Sequence, residues 1–171
     1  LKQVELEDNN ISDEGMVDII TALSMHPGLK DLHLTGNRLR KNGCVALATL
    51  LQCSAKELQY LFVSRNEIDD DGIETLVPAL ANCSGQIGLN ICNNPSITTK
   101  GWQSLATILE APNSNLEELG VRRNSIDDQA AATFANALTN NNKLRTIYMD
   151  SNPSITAKGW QAFTKVLCDT S

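Results

Sequence analysis

One pattern returns along this chain at intervals too short for separate domains and too regular for a linker. At Leu1, Val4, Leu6, Asn9 and Ile11 the sequence fits LxxLxLxxNxL. It fits again at Leu29, Leu32, Leu34, Asn37 and Leu39, and at Leu58, Leu61, Val63, Asn66 and Ile68. A fourth copy begins irregularly at Gln86 and runs through Leu89, Ile91 and Asn94, with Ile97 displaced by one inserted residue. The fifth uses Leu116, Leu119, Val121, Asn124 and Ile126, and the sixth Leu144, Ile147, Met149, Asn152 and Ile155. Six units follow, bounded 1–28, 29–57, 58–85, 86–115, 116–143 and 144–171. A unit of this size cannot bury its apolar face alone and must stack on its neighbours.

The spacing within each copy assigns local structure. Apolar residues at pattern positions 4 and 6 have the period of a strand, so both point inward while positions 3, 5 and 7 point to the opposite face. The Asn at position 9 falls where the chain leaves the strand, and its amide both donates to and accepts from backbone groups. After each bend come helix signals. Ser12 and Asp69 are placed to cap a start. Gly15, Gly43, Gly72, Gly101 and Gly159, with Ala130 in the fifth copy, recur one turn later, where a small residue lets helix and strand approach. Ile19, Leu47, Leu76, Leu105, Phe134 and Phe163 form one column, and Leu23, Leu51, Leu80, Leu109, Leu138 and Leu167 a second column four residues on. Pro78 falls late in its helix and is expected to kink or shorten it.

With a strand and a full helix in every 28 to 30 residues, the whole chain resembles the leucine-rich repeat proteins of the ribonuclease-inhibitor-like class. That family also includes the sensor domains of NOD-like receptors and the Ran GTPase-activating proteins. The fold expected is an α/β right-handed solenoid, a horseshoe with a parallel sheet on its concave side and helices on its convex side. A second period overlies the first. The ten residues from Asn94 to Gln103 return 58 residues later, from Asn152 to Gln161, with only Thr99 changed, to Ala157. The third and fifth copies instead share Asn-x-Ile-Asp-Asp at 66–70 and 124–128, so two unit types alternate. Trp102 and Trp160 thereby flank Ala131 in one column, and both are expected to pack in the core. No polar cap precedes Leu1 or follows the sixth unit, which leads us to expect neighbouring domains or subunits at both ends.

Little in the sequence points to catalysis, and no metal or cofactor is expected. His26 at a helix end and His33 on the display face do not converge. The acidic runs Glu5–Asp8 and Asp69–Asp71 lack the ligand spacing of a calcium loop and suit solvated surface and helix starts. Five cysteines, an odd number without CxxC, indicate neither a disulfide framework nor a zinc site. A reducing, cytoplasmic setting follows. Cys53, Cys83 and Cys168 lie near helix ends and are expected as buried thiols, Cys53 and Cys83 being near enough to bridge only under oxidation. No run of about 18 apolar residues is present, so no membrane partner is expected. The net charge of −6 disfavours nucleic acid, whose phosphates need clustered bases.

A protein or peptide partner remains, and the display face is where it is expected to dock. Positions 3, 5, 7 and 8 read down the stack begin acidic, with Glu5, Glu7 and Asp8 placed to steer a basic portion of the partner. An aromatic pair, a basic spot and Tyr148 beside Asp150 follow. Two large rings on the solvent side of a strand, Tyr60 and Phe62, are costly unless covered, and aromatic and Arg residues dominate binding hot spots. The candidate partner-binding residues are Tyr60, Phe62, Arg65, His33, Arg122, Arg123, Tyr148 and Asp150. Two further functions suit the resemblance. One is activation of a GTPase, for which Arg40, Arg65 and Arg122 are available without a transferable motif. The other is an architectural role in a large assembly.

Overall fold

A computed structural model describes residues 1–85 and 87–169, in which strands and helices alternate strictly. The order is β1 (Gln3–Glu5), α1 (Asp13–Leu23), β2 (Asp31–His33), α2 (Lys41–Cys53), β3 (Tyr60–Phe62) and α3 (Asp70–Ala81), followed by β4 (Ile87–Asn90), α4 (Thr99–Glu110), β5 (Leu116–Gly120), α5 (Asp128–Leu138), β6 (Thr146–Tyr148) and α6 (Ala157–Asp169). The strands form one parallel sheet in the order β1 to β6, and each helix packs on the helices before and after it. Strands pair about 4.8 Å apart whereas packed helices need 8 to 10 Å. The stack therefore bends with the sheet on its inner side, as the expected horseshoe requires.

Side chains at pattern positions 1, 4, 6 and 11 fill the space between sheet and helices. Leu29, Leu32, Leu34 and Leu39 of the second coil are all fully buried, as are their counterparts Leu58, Leu61, Val63 and Ile68 in the third. In the fourth coil the irregular start has a simple resolution. Ile87, one residue late, pairs with Leu116 and is 3% exposed, and the register shifts between Ile87 and Gly88 to restore the pattern. The expected anchor Gln86 lies outside the described residues.

The position-9 asparagines form a ladder that always reaches backwards. Asn66 Oδ1 accepts from Leu39 N of the preceding coil (2.9 Å), and its Nδ2 donates to Leu34 O of that coil (3.0 Å) and to its own coil's Val63 O (3.2 Å). Asn37, Asn94, Asn124 and Asn152 reach back to the preceding coil likewise and are all buried. Among the described residues no coil precedes that of Asn9. It is exposed and donates only to Glu7 O (3.0 Å).

Helix starts explain the alternation of unit types. In odd coils the residue before the helix caps it: Ser12 accepts from Gly15 N, Asp69 from Gly72 N and Asp127 from Ala130 N. In even coils a carboxylate of the coil before also reaches the helix start, joining Thr98 Oγ1, which accepts from Lys100 N, in the fourth and Thr156 Oγ1, which accepts from Lys158 N, in the sixth. Asp13 accepts from Arg40 N (2.8 Å) and Gly43 N (2.9 Å), Asp70 from Thr98 N (2.8 Å) and Gly101 N (3.1 Å), and Asp128 from Thr156 N (2.7 Å) and Gly159 N (3.0 Å). The carboxylates meet the positive end of the helix dipole. Hydrogen bonds from Thr156, first from its side chain, hold the Asp128 carboxyl below its ordinary value. Close approach of this neighbour also demands glycine. A Cβ on Gly101 would lie 2.4 Å from Asp70 Oδ1, and one on Gly159 2.6 Å from Asp128 Oδ1. Ala130, whose helix receives no such carboxylate, shows that the fifth coil is free of the constraint.

Several expectations need correction. Trp102 is fully buried and donates through Nε1 to Ile97 O (3.1 Å), with Ala131 buried as well, but Trp160 is 41% exposed, no helix among the described residues packing on α6 from the side opposite α5. Cys83 is buried, yet Cys53 and Cys168 are exposed, since their places at the helix ends face outward. Cys44 is the other buried thiol, and no disulfide joins Cys53 to Cys83. Pro78 does not shorten its helix, which at 12 residues matches the others; the proline sits on the exposed side with three helical residues after it. Phe163 is 9% exposed and Leu138 half-buried, while the Leu167 side chain lies outside those described.

Candidate functional site

The strand register arranges the display face into rows. Position 3 reads Gln3, Asp31, Tyr60, Gly88, Glu118, Thr146, and position 5 reads Glu5, His33, Phe62, Asn90, Gly120, Tyr148. Two neighbouring strands thus carry glycine where the others carry side chains, and a cleft opens over them. Tyr60 and Phe62 stand on one side, Glu118, Arg122 and Tyr148 on the other, with Gly88, Gly120, Asn90 and Cys92 forming the floor of a hollow of about 200 Å³. A second hollow of about 230 Å³ adjoins it, sharing Tyr60, Gly88 and Glu118 and continuing to Glu117, Arg145 and Thr146. Substitution at Gly88 has no room, because a Cβ there would lie 2.6 Å from Cδ1 of Tyr60.

The aromatic side is pre-assembled. His33 stacks on Phe62 with centroids 4.3 Å apart and planes inclined by 26°, and Tyr60 lies 6.1 Å from Phe62 at 18°. His33 Nδ1 is 3.4 Å from Glu7 Oε1. Phe62 is thereby half covered by its neighbours, while Tyr60 keeps 43% of its surface exposed. On the opposite side Arg122 lies over the Tyr148 ring, 4.3 Å from its centroid, and pairs with Asp150. A guanidinium held between a ring face and a carboxylate is a rigid arrangement for an otherwise mobile side chain.

Of the eight candidate residues, Tyr60, Phe62, Arg122 and Tyr148 line the cleft together, with His33 supporting Phe62 and Asp150 holding Arg122. Arg65 and Arg123 do not join them. Arg65 reaches across the second coil to Asp8 with contacts of 2.7 and 2.8 Å. The bridge passes over Gly36, whose φ of +73° and missing side chain are both used, since a Cβ there would sit 1.9 Å from Asp8 Oδ1. Arg123 occupies the equivalent left-handed position of the fifth coil, with φ of 53°, and is exposed outside the cleft. The acids expected to steer a partner are engaged within the chain: Asp8 with Arg65, Glu7 with His33, and Glu5 with the Gln3 amide (2.7 Å).

Sequence reasoning singled out none of Gly88, Gly120, Glu118, Asn90 or Cys92. The signal available was two glycines at display positions of consecutive strands, a gap in a row of side chains. Cys92 is half-buried, accepts from Arg122 N (3.2 Å), and burial pushes its thiol up, so at neutral pH it is a protonated floor residue. Among the described residues no group of three or more His, Cys, Asp and Glu side chains is placed to hold a metal ion, and no helix is long and apolar enough to cross a membrane.

Comparisons with known proteins agree with this architecture. A leucine-rich repeat family model matches residues 1–19, 27–48 and 57–77. The chain is 32% identical to the mouse NACHT, LRR and PYD domains-containing protein 4C over 147 residues, covering 83% of this chain and 14% of that protein. It is 26% identical to the human NACHT, LRR and PYD domains-containing protein 5, covering 90% of this chain and 13% of that one. With mouse ribonuclease inhibitor the identity is 25%, covering 98% of this chain and 36% of the inhibitor. The chain therefore spans well under half the length of each of these relatives. Among solved structures, leiomodin-1 actin-binding site 2 superposes with a TM-score of 0.59 at 17% identity, covering 98% of this chain and 79% of that one. The tropomodulin C-terminal domain of Caenorhabditis elegans gives a TM-score of 0.54 at 14% identity, covering 98% and 82%.

Proposed function

Because this chain belongs to the ribonuclease-inhibitor-like leucine-rich repeat proteins, we propose that it is a non-enzymatic binding module that holds a protein or peptide partner on its concave sheet face. The observation that carries the proposal is the cleft over Gly88 and Gly120, walled by the aromatic stack on one side and by Tyr148 with Arg122 on the other. A rigid, partly apolar recess ringed by aromatic and Arg side chains is the anatomy of an interface hot spot. Two names among the similar proteins support the class: one is an inhibitor of ribonuclease and another an actin-binding site, so each engages a protein. Activation of a GTPase by a free arginine gains nothing from the structure, because Arg40, Arg65 and Arg122 are tied to Glu67, Asp8 and Asp150.

The test is selection from a random twelve-residue peptide library on the immobilised chain, with affinities then measured against Tyr60→Ala/Phe62→Ala. Both rings project from the concave, solvent-facing side of the sheet, away from the core, so the variant keeps the fold, which far-ultraviolet circular dichroism checks. Selected peptides are expected to lose about tenfold or more in affinity for the variant, the loss typical of hot-spot truncation. Peptides that bind both proteins equally would overturn the reading.

A further inference from the structure

The side of the cleft formed by Tyr148, Arg122 and Asp150 is a filled example of a motif whose counterpart, spanning the cleft, stands open. Arg122 lies between a ring face and a carboxylate, 4.3 Å from the Tyr148 centroid and paired with Asp150. Spanning the cleft, Tyr60 on one wall and Glu118 on the other supply the same two elements. They are separated in their row by Gly88 alone, which puts their backbones two strand spacings apart, about 10 Å. The Tyr60 ring overhangs Gly88, its Cδ1 and Cε1 2.6 and 2.8 Å from where a Cβ would stand. Glu118 lies on the far side of the gap and lines both hollows. Among the described residues no ion pair or side-chain hydrogen bond engages the Glu118 carboxylate, whereas the nearby cations are taken: Arg122 by Asp150, and Arg145 by Glu117 at 3.5 Å.

Taking the concave face as the docking side, we infer that the gap between Tyr60 and Glu118 receives a lysine or arginine side chain of the partner peptide, its stem across the Tyr60 ring and its charged head on Glu118. The chemistry suits no other common side chain as well. An acidic one would face Glu118 directly, and an aliphatic one would cover the ring but leave the carboxylate without a counter-charge. A long basic side chain satisfies both, because its methylene stem is apolar and its head cationic.

The experiment titrates the 15N-labelled chain with two small probes, lysine capped as its N-acetyl methylamide and norleucine capped the same way, which has a similar apolar stem without the ammonium group. The Gly88 and Gly120 amide shifts report binding. The lysine probe is expected to bind about threefold more tightly than norleucine, the worth of one exposed ion pair. Glu118→Gln should abolish that preference while leaving norleucine binding unchanged. Arg145→Gln, which removes a cation beside the gap, should strengthen it. Equal binding of the two probes, no shift with either, or a preference that survives Glu118→Gln would each overturn the inference. None of these results would touch the concave reading itself, which fails only if library-selected peptides ignore loss of Tyr60 and Phe62.

Discussion

Replacing Asn94 by Ala removes five hydrogen bonds, and the structure says which of them matter. The Asn94 Nδ2 donates to the carbonyls of Val63, Ile91 and Cys92, but each of these keeps a second donor: Asn66 Nδ2, Asn124 Nδ2 and Arg65 N. The Oδ1 accepts from Asn66 N (3.2 Å) and Ile68 N (3.3 Å), and among the described residues neither amide has another acceptor. Two buried amides are thus orphaned, at about 1 to 3 kcal/mol each, giving an expected loss of about 4 kcal/mol. That is a large part of the 5 to 15 kcal/mol typical of a whole folded domain. Asn9 holds the same pattern position but donates a single exposed bond, so Asn9→Ala should lose less than about 0.5 kcal/mol. Urea unfolding followed by circular dichroism measures both. A loss below about 1 kcal/mol for Asn94→Ala, or equal losses at the two sites, would refute the argument that the asparagine ladder closes the solenoid from coil to coil.

The two tryptophans should separate in the same assay. Trp102→Ala empties a fully buried site and should cost about 3 to 5 kcal/mol, whereas Trp160→Ala at 41% exposure should cost less than half as much. Thiol titration at pH 8 should find Cys53 and Cys168 reacting fast and Cys44 protected in the native state, because burial pushes the Cys44 thiol up to about 12. Acid stability should depend on the clasp at the sixth helix. Since Asp128 is held below its ordinary 3.8, its contribution is complete above that value and is lost as the pH falls through the lower native one. Asp128→Asn should therefore flatten the stability profile below about pH 4, and an unchanged slope would count against the clasp.

The sequence displayed the fold almost completely because the fold is a sum of identical local problems. Each coil repeats the same inward leucines and the same turning asparagine, so six weak signals reinforce one another. What escaped lay between coils. The Asn-Asp-Asp and Thr-x-x-Gly unit types alternated visibly, but only contact across 28 to 31 residues shows one coil's Asp70 or Asp128 capping the helix of the next. The terminal surfaces misled for the same reason. Trp160 has the sequence neighbourhood of Trp102 but, among the described residues, no following coil packs on it. At the site, Tyr60, Phe62, Arg122 and Tyr148 were readable as large side chains on the display face. Arg65 was readable too, but its bond to Asp8 depends on the gap at Gly36. The floor of the cleft was harder to read, because Gly88 and Gly120 act through what they leave open.

The decisive measurement is an amide shift map of the 15N-labelled chain on binding a library-selected peptide. The account predicts that perturbed amides cluster on β3 to β6, centred on Gly88 and Gly120, with α1 to α6 unaffected. A cluster on the helices, with both of those glycine amides unmoved, would contradict it.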